Sequence, residues 1–150
     1  MIARTISFTV PGAAVPSRRR THIIAGHVGS YQTRETAEYR NLVRLVASEA
    51  ARSHGLAEPW RGAVELDWCV VRPVPASWSG KRRMAALADD ICAVSRPDLD
   101  NLSKLIQDAM TGVIYRDDAQ IVRAAQRKCF GTNPVLSVVV MLIDERGIKR

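Results

Sequence analysis

The chain has 150 residues, enough for one domain with its own core. Its 47% hydrophobic and 25% charged residues argue against a largely disordered chain, and no apolar run approaches the ~20 residues that span a bilayer. A net charge of +7 and a pI near 9.9 suit a polyanionic partner.

Residues 4–10 alternate, with Ile6, Phe8 and Val10 on one side and Thr5, Ser7 and Thr9 on the other. This predicts a half-buried strand that stops at Pro11-Gly12. A loop with Pro16 and the run Arg18-Arg19-Arg20 follows, and residues 21–32 read as a short hairpin turning at Gly26. A helix is expected from Thr33, its N-cap, to His54, with Tyr39, Leu42, Val43, Val46 and Ala50 as the apolar stripe and Gly55 as the stop. Residues 63–71 form a second strand, with Val64, Leu66, Trp68 and Val70 on one face and Pro73 and Pro75 beyond it. A short exposed helix is expected around Lys81 to Leu87, beginning with Lys81-Arg82-Arg83. Residues 120–130 read as a strand, and the apolar run at 135–143 reads as a central strand covered on both faces. The expected fold class is α+β, a single domain over residues 1–150 with one mixed β-sheet packed with helices.

Cys69, Cys92 and Cys129 are odd in number and widely spaced, so neither a disulfide framework nor a zinc site is expected. His22, His27 and His54 form no metal-ligand pair. Residues 1–25 lack the shape of a signal peptide, which makes the cytoplasm the expected compartment. No membrane partner and no small-molecule cofactor are expected.

Charge is unevenly distributed. Residues 98–118 carry two bases, Lys104 and Arg116, against five acids, Asp98, Asp100, Asp108, Asp117 and Asp118, a net −3 inside a basic chain. If residues 96–100 are extended, Asp98 and Asp100 project to the same side while Leu99 anchors the other. Two carboxylates that close repel unless a cation lies between them, and a hard divalent ion such as Mg²⁺ prefers carboxylate oxygens. At 100° per residue from Asp100, the residues Leu102, Leu105, Ile106, Ala109 and Met110 fall between about 140° and 280°. Lys104 and Asp108 fall near 40° and 80°, sharing the open face with Asp100. Gly112 ends this helix, and a chain reversal there could return Asp117-Asp118 toward Asp98 and Asp100. Two accounts of these residues stay open. In one, Asp100 is an N-cap paired with Lys104 and Asp117-Asp118 is a turn. In the other, the carboxylates hold Mg²⁺ and Lys104 stabilises charge. Asp108 is read as a surface partner of Lys104, and Asp117 as facing away from Asp118.

The pattern R-P-D-L-D-N-L-x-K, then D-A-x-x-G-V-I-Y, then D-D-A-Q-I-V, over Arg96 to Val122, resembles the RusA family of Holliday junction resolvases, common in phages and prophages. The opening strand, Pro-Gly turn and basic loop fit the same family, although the run Ser17-Arg18-Arg19-Arg20 lacks its second proline. The resemblance implies a homodimer that cuts two opposed strands of four-way junction DNA with Mg²⁺, or Mn²⁺ as a substitute. It maps the catalytic carboxylates onto Asp98, Asp100 and Asp118, which would also be the metal ligands, and the active-site lysine onto Lys104. Arg18, Arg19, Arg20, Lys81, Arg82 and Arg83 are the expected DNA contacts. The alternatives are another Mg²⁺-dependent nuclease for branched DNA and a DNA-binding protein without catalysis.

Overall fold

Period-two alternation gives three strands one apolar face each. Ile6, Phe8 and Val10 of β1 (Ile2–Pro11), Val64, Leu66, Trp68 and Val70 of β4 (Val64–Pro73), and Leu136, Val138, Val140 and Leu142 of β6 (Val135–Ile143) are all buried. The computed structural model describes residues 2–144; the basic Arg146, Lys149 and Arg150 lie outside them. Between these strands come β2 (Arg19–Ile24), β3 (His27–Gln32), α1 (Arg34–Ser53), α2 (Gly80–Leu87), α3 (Leu99–Met110), a 3-10 turn (Asp118–Gln120) and β5 (Ile121–Gly131).

The main sheet has the order β1-β6-β4-β5. Only the β4–β5 pair is parallel, so the sheet is mixed and the class is α+β. Helices α1 and α3 cover one face, burying Tyr39, Val43, Ala47 and Ala51 of α1 and Leu102, Leu105, Ile106, Ala109 and Met110 of α3. The hairpin β2–β3 pairs only with itself, as a separate two-stranded arm. Among the described residues, no helix is long and apolar enough to cross a membrane.

Two expectations change. The fully buried stripe of α1 runs through Thr36, Tyr39, Val43, Ala47 and Ala51, while Val46 and Ala50 pack against the core only partly buried and Leu42 is exposed. Small alanines let the helix approach its neighbours closely. Arg44 holds its rotation by donating to the carbonyls of Thr111 (3.0 Å) and Ala109 (3.5 Å) at the end of α3. Strand β6 is central, but helices cover only one of its faces. On the other face Val135, Ser137, Val139, Met141 and Ile143 remain half-buried.

This packing predicts unequal costs on α1. Ala47→Leu overfills a closed site and should lower stability by about 1–3 kcal/mol. Leu45→Ser, at a position 58% exposed, should stay within about 0.5 kcal/mol. Urea unfolding midpoints at constant slope test the contrast.

Candidate active site

The acidic segment is shaped by how α3 begins and ends. Residue Asp98 is the N-cap, with extended backbone, yet its side chain makes no capping hydrogen bond. Thr33, Ser79 and Asp117, which start the other helical elements, all accept one from the backbone. An Asp at this position ordinarily caps, so the Asp98 carboxylate stays available to another partner. Because α3 starts at Leu99, Asp98 and Asp100 do not alternate along an extended segment, and Leu99 is partly exposed rather than an anchor.

At the other end, Gly112 takes a positive φ of 76°, which favours glycine. Its N–H donates to the Tyr115 carbonyl at 2.7 Å, closing the reversal. Tyr115 is fully buried, and its hydroxyl donates to the Gln107 carbonyl at 3.1 Å. Burial pushes its ionisation above the ordinary tyrosine range, and the nearby charges of Asp118 and Asp108 push it further.

The pair Asp117-Asp118 divides its labour. The Asp117 carboxylate accepts from the Ala119 N–H at 2.8 Å, and Gln120 Oε1 accepts from the N–H groups of Arg116 (2.8 Å) and Asp117 (2.9 Å). The segment is a capped 3-10 turn and not a strand, so Asp117 is occupied as a cap rather than turned away by strand alternation. Gln120 Nε2 donates to the carbonyls of Trp60 (3.0 Å) and Gly62 (2.7 Å), anchoring the turn.

Asp100, Lys104, Asp108 and Asp118 line one cleft of about 560 Å³ with Leu99, Ser103, Gln107 and Gln126. The Ser103 hydroxyl accepts from Gln107 Nε2 (2.8 Å) and Gln126 Nε2 (3.0 Å), which ties β5 to α3 beneath it. Lys104 forms no ion pair with Asp100 or Asp108, so neither the helix pairing with Asp100 nor the surface pairing expected for Asp108 is formed. Asp108 instead lines the cleft.

Asp98 lies in the adjoining cleft with Pro16, Ser17, Arg18, Arg96, Pro97 and Asn101. The loop that carries it is held from below. Lys128 Nζ donates to the carbonyls of Ser95 (2.9 Å) and Pro97 (2.8 Å), and Arg72 donates to the Ser95 hydroxyl at 2.6 Å. Arg18, Arg19 and Arg20 line a further cleft of about 650 Å³ with Arg34, Arg96, Tyr31 and the start of α1. Arg18 and Arg96 border both the arginine cleft and the Asp98 cleft.

Lys81, Arg82 and Arg83 line neither acidic cleft. They begin α2, where Arg82 stacks over the Trp78 ring at 3.8 Å and Arg83 donates to the Pro75 carbonyl at 3.1 Å.

A family model described as endodeoxyribonuclease RusA matches residues 11–141. This chain belongs to the RusA family. A similar protein, the uncharacterized YqaN of Bacillus subtilis (strain 168), is 31% identical over 138 residues, covering 90% of this chain and 94% of that protein.

RusA-family nucleases use Mg²⁺, which sets a test for the side chains present. The acidic cleft supplies carboxylate, amide and hydroxyl oxygens and no sulfur or imidazole, a donor set for a hard cation. Among the described residues, no three acidic, histidine or cysteine side chains enclose a ready-made metal cage. That is compatible with Mg²⁺, which keeps several waters and commonly takes one or two carboxylates plus substrate phosphate oxygens. The residues therefore fit the ion.

Sequence reasoning missed the supporting residues Gln126, Lys128 and Arg72. Their only signal was polarity on the helix-facing side of strands, which one strand cannot assign. A pH consequence follows from Tyr115. The folded chain retains the phenolic proton beyond pH ~10, where an unfolded tyrosine loses it. Stability is thus full below about pH 10 and falls as pH rises above it. Tyr115→Phe should lessen this alkaline loss without abolishing it, since burial raises the Tyr39 phenol in the same way, measured as urea midpoints between pH 8 and 11.

Proposed function

We propose that this protein is a Mg²⁺-dependent endodeoxyribonuclease that acts on branched DNA, resolving four-way junctions by paired nicks in opposed strands. One observation carries the reading. Among the described residues, Asp98, Asp100, Asp108 and Asp118 make no hydrogen bond or ion pair through their carboxylates, and Asp98 shares its cleft with Arg18 and Arg96 of the arginine cleft. By contrast, Glu65 and Asp67 pair with Arg123, and Asp89 pairs with Arg127. Unpaired carboxylates next to a phosphate grip repel the ligand unless a cation intervenes. A purely DNA-binding protein gains nothing from them.

Asp100 and Asp118 would hold the ion from the shared cleft, and Asp98 from the start of α3. Bound there, a divalent ion would lower the pKa of a coordinated water and offset charge on the scissile phosphate. Lys104 adds a positive charge in the same cleft. The arginines of the neighbouring cleft bind phosphates without reading base sequence. Lys128 and Arg72 position the Asp98 loop and touch no substrate.

Two cuts on opposed strands require two sites, and a two-fold homodimer supplies them symmetrically. The sheet face that no helix covers, with Cys69, Val71, Val139 and Met141 half-buried, is the surface we assign to the second copy.

Two outcomes test the reading. Asp98→Asn, Asp100→Asn and Asp118→Asn should each lower the rate of junction cleavage in Mg²⁺ at least about a hundredfold, while junction binding persists in a gel-shift assay. Asp117→Asn retains a capping side chain and should stay within about twofold. If any of the first three variants cuts like the wild type, the assignment of that residue as a metal ligand fails. Separately, replacing Arg18, Arg19 and Arg20 by Ala should flatten the log–log slope of DNA affinity against salt. The slope should shrink by about 0.9 for each phosphate that these arginines neutralise. An unchanged slope would place the phosphate grip elsewhere.

A further inference from the structure

The β2–β3 arm is the part of the chain that the core does not explain. Its two strands, each six residues long, project about 17–20 Å. The turn at Ala25-Gly26 has positive φ at both residues, 49° and 80°, the geometry of a tight two-residue hairpin. The tip is therefore narrow. Three branched apolar side chains sit on it almost bare, Ile23 72%, Ile24 68% and Val28 71% exposed. Ile23 and Val28 are cross-strand partners, and Ile24 pairs with His27 beside the turn. Ile24 faces opposite to Ile23 and Val28, so both faces of the tip carry bare apolar side chains, which normally marks a contact surface.

The rest of the arm says what kind of surface it meets. From Ser17 to Arg34 there is no acidic residue, against Arg18, Arg19, Arg20 and Arg34. On one face the His22 ring lies against Gly29, where a Cβ would come within 2.6 Å of it, and the Tyr31 ring stands 5.7 Å away. Arg20 pairs with Tyr31 on that same face. The arm is thus cationic at its root, ring-lined in the middle and apolar at its end.

The root is tied to the acidic site. The Ser17 N–H donates to the Asn101 carbonyl at 3.1 Å, and Arg18 shares a cleft with Asp98. A polyanion gripped at the root would lie beside the Asp98 carboxylate. A second copy of this +7 chain would bring like charge to the same arm.

We infer that the arm is a wedge: Ile23, Ile24 and Val28 enter the base stack at the branch point of a four-way junction, while the arginines at its root hold the flanking phosphates. The inference deepens the nuclease reading and rests on it. Apolar side chains that enter a stack must first separate base pairs, which costs a few kcal/mol per step in a continuous duplex. At a branch point the stack is already interrupted, so insertion costs less there. The wedge thereby converts non-specific phosphate binding into selectivity for branched DNA.

The test uses the full chain and a synthetic four-way junction carrying 2-aminopurine at the branch point, in EDTA, with a linear duplex as competitor. Wild-type protein should raise the fluorescence by unstacking the probe. The triple variant Ile23→Thr, Ile24→Thr, Val28→Thr keeps β-branched residues in the strands. It should lose most of the rise and about tenfold of the preference for junction over duplex, or about 1.4 kcal/mol. The conservative triple variant Ile23→Leu, Ile24→Leu, Val28→Ile should retain both, which separates a wedge from a merely disturbed arm. A threonine variant that keeps the preference overturns the inference, as does wild-type protein that binds the junction but leaves the probe stacked. A threonine variant that sediments as a monomer where the wild type is a dimer also overturns it, by giving the tip to a second copy. Cleavage in Mg²⁺ is scored separately. A wild type that cuts junctions without unstacking them sinks the wedge alone, and one that unstacks the branch point without cutting sinks the nuclease reading while supporting the wedge.

Discussion

One buried hydroxyl joins the basic and acidic halves of the molecule. Thr36, on the first turn of α1, is fully buried. Its Oγ1 donates to the Pro16 carbonyl at 3.0 Å and accepts from the Arg18 N–H at 3.2 Å and the Thr33 hydroxyl at 2.9 Å. Without it, the buried Pro16 carbonyl would stand unpaired, at about 1–3 kcal/mol, and the part-buried Arg18 N–H would lose its partner. The residues it holds are the root of the arginine run. The Thr33 N–H closes the same knot by donating to the Arg18 carbonyl at 3.2 Å. One residue earlier, Ser17 bonds to Asn101 at the start of α3. The arginine cleft and the aspartate clefts are neighbours because this knot leaves the chain between them no freedom.

The acidic site is supported in the same indirect way. Its carboxylates carry no partners among the described residues, so they cannot hold themselves in place. Their backbone is held instead. Lys128 and Arg72 hold the loop before Asp98, Gln126 ties β5 to α3 under the cleft, and Gln120 fixes the turn that presents Asp118. Polar strand residues that look ordinary in sequence become the frame of the site, and leave Asp98, Asp100, Asp108 and Asp118 open to solvent and ligand. Asp117 marks the contrast, since the neighbour that caps the turn cannot also serve the cleft.

Much was legible from the sequence alone, for a local reason. Strand alternation in β1 and β4, the Thr33 cap, the turn at Gly26 and the buried stripe of α3 all follow from residues within one or two turns of each other. The concentration of five aspartates between residues 98 and 118 is likewise visible without a structure, as is the pattern that places the chain in the RusA family. The tertiary structure decided what depends on distant partners. The rotation of α1 is set by Arg44 reaching the end of α3 and by alanines that permit close packing, which a hydrophobicity pattern cannot rank. Whether β6 is covered on one face or two depends on where both helices land. Asp98 caps without a capping bond and Asp117 caps with one, because helix starts are fixed to the residue only by the packing around them. Local chemistry wrote the elements and the distribution of charge along the chain. Long-range hydrogen bonds decided which charges face a ligand, since those bonds join residues more than twenty positions apart, as Gln126 joins Ser103 and Lys128 joins Pro97.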